Sequence, residues 1–175
     1  MLSARKNVAN RPDQPRKKIM KIHLCVVGKL RNGPEKDLVD DYLNRFDKIG
    51  RSHGLGPVSV NEVEDKKNGG MSNEAILLQR IIPNGAVVMA LDERGEIVSS
   101  PNFSKKLITY VNNSVSDLAI IIGGADGIDS KLRESADFKV SFGKMVWPHA
   151  LVRVMIAEQL YRAATICAGS PYHRT

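Results

Sequence analysis

Apolar positions along the chain alternate between short continuous runs and stripes spaced three to four residues apart. Residues 22–28 form the first run, with Ile22, Leu24, Val26 and Val27 apolar. Gly33-Pro34 breaks it, and proline suits the first turn of a helix. Leu38, Tyr42, Leu43 and Phe46 then recur at helical spacing, which predicts an amphipathic helix over about 34–48. After a turn-rich stretch at 49–57, residues 58–63 alternate as a short strand. A polar loop at 64–71 precedes a second helix, capped by Asn73, that runs through Ala75, Leu78 and Ile82 to Pro83-Asn84-Gly85. Residues 86–92 read as a buried strand, and Glu93-Arg94-Gly95 turns out of its carboxyl end. A third helix starts at Asn102 or Ser104 and carries Leu107, Ile108 and Val111. Residues 117–122 are the most apolar strand and lead directly into Gly123-Gly124-Ala125-Asp126-Gly127. A short helix at 130–136, a strand at 138–142 and a long helix at 149–168 follow, with Gly169 as the C′ residue. Strands alternating with helices predict an α/β fold with a parallel sheet. The near-continuous apolar strands agree, because parallel strands are covered on both faces.

Composition narrows the class. The chain has 175 residues, 42% apolar and 26% charged, the profile of a globular domain with one real core. The longest apolar runs, 86–91 and 118–122, fall far short of the roughly 20 residues a membrane span needs. Cys25 and Cys167 are far apart in apolar sequence, which excludes a disulfide scaffold and a CxxC metal site. A reducing, cytoplasmic compartment and no metal are the expectation.

The net charge of +7 suggests a polyanionic partner, but its distribution matters more. Residues 1–19 hold six basic residues against Asp13, a net of +5, which leaves only +2 for residues 20–175. This arm has no helical or strand periodicity and no apolar core of a secretory signal. It is expected to be a disordered extension or the product of a start placed too early, since Met20 opens a clean strand. Residues 20–175 are expected to form one domain.

Four stretches hold candidate chemistry. The glycine-rich turn at 123–127 follows a strand, where ligands of open α/β sheets bind. It matches neither a GxGxxG nor a P-loop pattern, and a plain tight turn is the alternative. The run Phe142, Gly143, Lys144, Met145, Val146, Trp147 joins a strand to Pro148-His149 at the start of the long helix. Trp147 there forms an apolar wall or is simply core. The long helix is apolar nearly all round, so it needs two burying partners. One is its own sheet, and the other is the same helix of a second copy, giving a C2 homodimer. Within it Glu158 and Arg162 are spaced to pair. The tail bunches Tyr172, His173 and Arg174, groups suited to stacking, proton transfer and phosphate binding, or it is frayed decoration.

Taken together, IIGGADGI, FGKMVWPH, LVRVMIAEQLYRAATI and the terminal GSPYHRT resemble the ribosomal RNA large subunit methyltransferase H family. That family is a small branch of the SPOUT methyltransferases. The similarity spans residues 20–175, including MKIHLCVVGKL and the LDERG turn. The family usually reads GGPEG or GGPDG where this chain reads GGADG, and it lacks the 1–19 arm. The resemblance implies an S-adenosylmethionine-dependent enzyme that methylates N3 of pseudouridine 1915 in helix 69 of 23S rRNA, on the assembled 70S ribosome. It also implies a homodimer and a deep trefoil knot in the C-terminal part, an exception to the rule that chains do not thread loops. By matched position the cofactor would contact Leu91, Gly123 and Phe142, Gly143, Lys144, Met145, Val146 and Trp147.

For such a transfer the protein must place the donor and deprotonate an imide nitrogen. The available cations are Arg153, Arg162 and Arg174, and the available bases His149 and His173. An ordinary histidine titrates near about 6.5, so neutral imidazole is present at pH 7. The expectation is that Tyr172, His173 and Arg174 of one subunit close over the cofactor bound by the other. His173 is then the base and His149 an orienting group. The rival expectation is a non-enzymatic ribosome-binding factor on the same fold. A small-molecule α/β enzyme is a third.

Overall fold

The structure, a computed structural model, describes residues 18–66 and 68–172. Five strands form one sheet: β1 (Met20–Val27), β2 (Leu55–Val63), β3 (Val87–Ile97), β4 (Asp117–Ile122) and β5 (Phe138–Ser141). Their order is β2-β1-β4-β3-β5 and every neighbouring pair is parallel. Five α-helices connect or cover them: α1 (Pro34–Gly50), α2 (Gly70–Ile81), α3 (Ser100–Asn112), α4 (Ser130–Ser135) and α5 (His149–Cys167).

Strand alternation sorts the core into two layers. Ile22, Leu24, Val26, Leu118, Ile120 and Ile122 face α1, α3 and α5. Cys25, Val27, Ala90, Ala119 and Ile121 face α2 and α4, a thinner layer of smaller side chains. Burial pushes the Cys25 thiol up to about 11, so it behaves as a small apolar residue.

Several expected boundaries move, each for a local reason. The α1 stripe is Val39, Leu43, Phe46 and Gly50, while Leu38 is 45% exposed. Strand β2 begins at Leu55, inside the expected turn. Pro57 is tolerated there because β2 is an edge strand, bonded only to β1. Helix α2 starts at Gly70, so Asn73 lies inside it and caps nothing. Helix α3 is capped by Ser99, whose hydroxyl accepts from the Asn102 N–H. Ser104 is buried instead and donates to Ala163 O at 3.0 Å, joining α3 to α5.

The expected turn at Glu93-Arg94-Gly95 is part of β3. The strand leaves β5 after Leu91 and pairs with it again at Glu96 and Ile97. Gly95 is required for that return: a Cβ there would lie 2.6 Å from the Val140 carbonyl carbon. Helix α5 buries Arg153, Ile156, Ala157, Leu160, Ala163, Ala164 and Thr165. Helices α1 and α3 flank it within the same chain, which accounts for much of the apolar girth that suggested a second copy. Among the described residues no helix is long and apolar enough to cross a membrane.

Candidate active site

A cleft of about 760 Å³ opens at the carboxyl ends of β3, β4 and β5. Its floor is the loop after β4. Gly123 has no room for a side chain: a Cβ would lie 2.2 Å from Gly127 O. The loop folds back on itself, with the Gly127 N–H donating to Gly124 O at 3.1 Å. Asp129 then caps α4 by accepting from the Lys131 and Leu132 N–H groups. One wall is the segment after β5. Buried Ser141 holds its first turn, donating to Gly143 O at 2.8 Å and accepting from Gly143 N at 3.1 Å.

Seven of the eight expected cofactor contacts line this cleft: Leu91, Gly123, Phe142, Gly143, Met145, Val146 and Trp147. Lys144 does not line it and lies exposed on the outside of the same loop. Trp147 is 38% exposed, so it is wall and not core. His149 also lines the cleft, as the first residue of α5.

Two other expected catalytic residues, Arg162 and Tyr172, sit elsewhere. Arg162 lies thirteen residues beyond His149 on α5, about 20 Å along the axis at 1.5 Å per residue. Its Nε donates to Glu158 Oε1 at 2.9 Å, and that carboxylate holds the guanidinium above its ordinary pKa. The Tyr172 hydroxyl donates to the same oxygen at 3.2 Å. Its ring packs tilted at 58° against Tyr161 with 4.7 Å between centroids, and the Arg162 guanidinium lies 5.0 Å from it. Burial first, then the nearby Glu158 and Tyr42, push the Tyr172 phenol up to about 12, so it stays neutral. His173 and Arg174 lie outside the described residues, as does nearly all of the 1–19 arm.

Arg153 is not available to a reaction. It is 2% exposed and both terminal nitrogens are engaged: Nη2 bonds Val27 O at 2.8 Å and Gly28 O at 2.7 Å, and Nη1 bonds Glu62 Oε1 at 2.8 Å, while Nε is buried without a hydrogen-bond partner among the described residues. Glu62 in turn accepts the Leu30 N–H at 2.8 Å. Burial lowers the Arg153 pKa and Glu62 restores part of it.

The cleft also holds groups that sequence spacing did not single out. Asp92 and Arg133 face each other there at 3.7 Å, both largely buried. Asp92 was visible in LDERG, but Arg133 lies on a short helix with no distinguishing signal. Among the described residues no group of three or more His, Cys, Asp or Glu is placed to hold a metal ion.

A family profile described as "Predicted SPOUT methyltransferase" matches residues 20–173. Curated relatives named ribosomal RNA large subunit methyltransferase H match over 155 residues, covering 89% of this chain and 99% of theirs. Identity is 63% with the protein of Roseobacter denitrificans, 61% with that of Ruegeria sp. and 56% with that of Paracoccus denitrificans. The chain belongs to the SPOUT methyltransferase family, among these ribosomal RNA large subunit methyltransferase H proteins. A methyltransferase of this family requires a methyl donor. The Tyr172–Arg162–Glu158 cluster is a second feature, separated from the cleft by most of α5.

Proposed function

We propose that this protein transfers a methyl group from S-adenosylmethionine to N3 of pseudouridine 1915 in helix 69 of 23S rRNA. It acts on the assembled 70S ribosome in the cytoplasm, as a homodimer knotted in its C-terminal part. Relatives with 56–63% identity carry the name of a large-subunit rRNA methyltransferase, which supports the substrate class. The residues of the cleft fit the donor. Leu91, Ile122, Phe142 and Trp147 offer apolar surface to an adenosine, and Gly123, Gly127 and Gly143 present main chain with no side chain over it. The volume falls in the range of roughly 300–1,000 Å³ typical of small-molecule sites.

The observation that carries the dimeric reading is the separation along α5. One chain holds the donor cleft at one end of the helix and the Tyr172–Arg162 cluster about 20 Å away. Two copies crossing at α5 bring one copy's cluster to the other's cleft. Met145 and Val146 are 70% and 81% exposed beside the exposed Leu151, an apolar surface that a second copy covers.

The bound donor supplies a methyl group on a cationic sulfonium, open to in-line attack. The chain's residues supply the rest. The cleft walls fix the orientation, a contribution of up to about 7–11 kcal/mol in well-oriented systems. His173 removes the N3 proton of the target imide. Arg162 and Arg174 stabilise the negative charge that develops there. Tyr172, neutral and held by Glu158, sets the tail's course.

Transfer of tritiated methyl from S-adenosylmethionine tests this on 70S ribosomes, separated subunits and free 23S rRNA. Label is expected on the 23S rRNA of 70S ribosomes. Failure to bind the donor, with ribosome binding intact, replaces the proposal with a non-enzymatic ribosome factor. Turnover of a small molecule without ribosomes replaces it with a small-molecule enzyme.

A further inference from the structure

The first turn of α2 reaches two loops that sequence spacing does not connect. Asn73 Nδ2 donates to Asp65 Oδ1 at 2.5 Å, tying down the loop between β2 and α2. Its neighbour Glu74 reaches the loop after β4, where its carboxylate lies against Gly124. The approach is close: a Cβ built on Gly124 would lie 2.8 Å from Glu74 Oε1 and 3.0 Å from Oε2. Gly124 lines the cleft, and so does Met71 from the same end of α2. One partly buried carboxylate therefore joins the α2 wall of the cleft to its glycine floor.

Glu74 does nothing else that repays its position. No cationic side chain among the described residues pairs with it. Burial first, and then Asp65 and Asp126, push its pKa up, while the Gly124 main chain draws it back. An acid among acids, partly desolvated, is a net cost unless its contact with Gly124 is needed.

We propose that Glu74 is a positioning residue for the methyl-donor cleft: by bearing on Gly124 it sets the glycine loop on which an adenosine-bearing donor rests. The ligand in this statement rests on the methyl-donor reading above. The hold on the loop does not. What Glu74 supplies is a side chain of fixed length against Gly124. Glutamine keeps that shape without the charge and alanine removes it, so Glu74→Gln and Glu74→Ala separate the contact from the charge.

The experiment has two readouts on the full-length protein. Backbone amide exchange across residues 123–127, without cofactor, is expected to be about tenfold faster in Glu74→Ala and near wild type in Glu74→Gln. Calorimetric titration with S-adenosylhomocysteine is expected to show about tenfold weaker binding for Glu74→Ala and a change under about twofold for Glu74→Gln. Gly124→Ala, which drives a methyl toward the carboxylate, should weaken binding in the wild type and add little on top of Glu74→Ala. Unchanged exchange in Glu74→Ala overturns the proposal, and so does a Glu74→Gln variant as impaired as Glu74→Ala. If the wild type binds no S-adenosylhomocysteine, the methyl-donor reading fails, and the exchange measurement alone decides whether Glu74 holds the loop.

Discussion

At the carboxyl ends of β1 and β2, a buried guanidinium fills the space and bonds Val27 O, Gly28 O and Glu62. At the carboxyl ends of β4, β3 and β5, the chain leaves a cleft of about 760 Å³ floored by glycines. Both ends belong to the same sheet, and α5 shapes both. Its residues His149 and Val152 line the cleft, and the next residue, Arg153, closes the neighbouring edge. β1 leads to α1 on one face and β4 leads to α4 on the other, so the chain diverges between these adjacent strands. Open α/β sheets bind ligands at such a divergence. Here the β1 side is taken up by protein, and the open space lies toward β3 and β5. The space that such a divergence offers is therefore left on only one side of this sheet.

The largest expected effect lies in the tail. Deleting residues 171–175 should reduce methyl transfer to ribosomes by about 10³-fold, the scale of losing a general base with its neighbours. Donor affinity should stay within about twofold of the wild type, because among the described residues the cleft lining includes none from the tail. A truncation with full activity would remove the tail from the reaction. One that loses donor binding as well would mean the open half is not complete without it.

Next in size is the closed half itself. Arg153→Leu leaves the Val27 and Gly28 carbonyls without the guanidinium in a largely buried place and removes the ion pair with Glu62. Urea unfolding should show a loss of about 3 kcal/mol, roughly a hundredfold in the folding equilibrium. Unchanged stability would show that the β1 edge is closed by packing alone.

The two halves were not equally legible in the sequence. Strand-then-glycines at 120–124 and the Phe142–Trp147 run mark the open half through local chemistry, and seven of the eight residues drawn from them and from Leu91 line the cleft. The closed half is a non-local fact. Arg153 is separated from Val27 by 126 residues, and nothing in the helix pattern distinguishes a buried anchor from a reaction-site cation. The same limit hid Glu74. Asn73 has the chemistry of a cap, but its amide is engaged by Asp65, and the helix begins earlier at Gly70. The return of β3 at Glu96 depends on β5, whose place beside it no local pattern encodes.

A smaller effect tests the glycine floor. In Gly123→Ala the new Cβ meets Gly127 O and C, which are main chain and cannot rotate away. Calorimetry should show S-adenosylmethionine binding weakened by at least about tenfold. An unimpaired variant would place the donor away from this loop.

The smallest effect separates the two sides of one loop. Met145, Val146 and Trp147 line the cleft, whereas Lys144 lies exposed outside it. Trp147 is the sole tryptophan, so its fluorescence reports on that wall alone. Adding S-adenosylmethionine should shift the emission in the wild type and, to the same extent, in Lys144→Ala. The titration midpoint should differ by less than about twofold between them, since a solvated lysine outside the cleft makes no contact to lose. A larger change would mean that the loop turns on binding and brings Lys144 inward. The outer face of the wall would then belong to the site, and the open half would be only partly formed before the donor arrives.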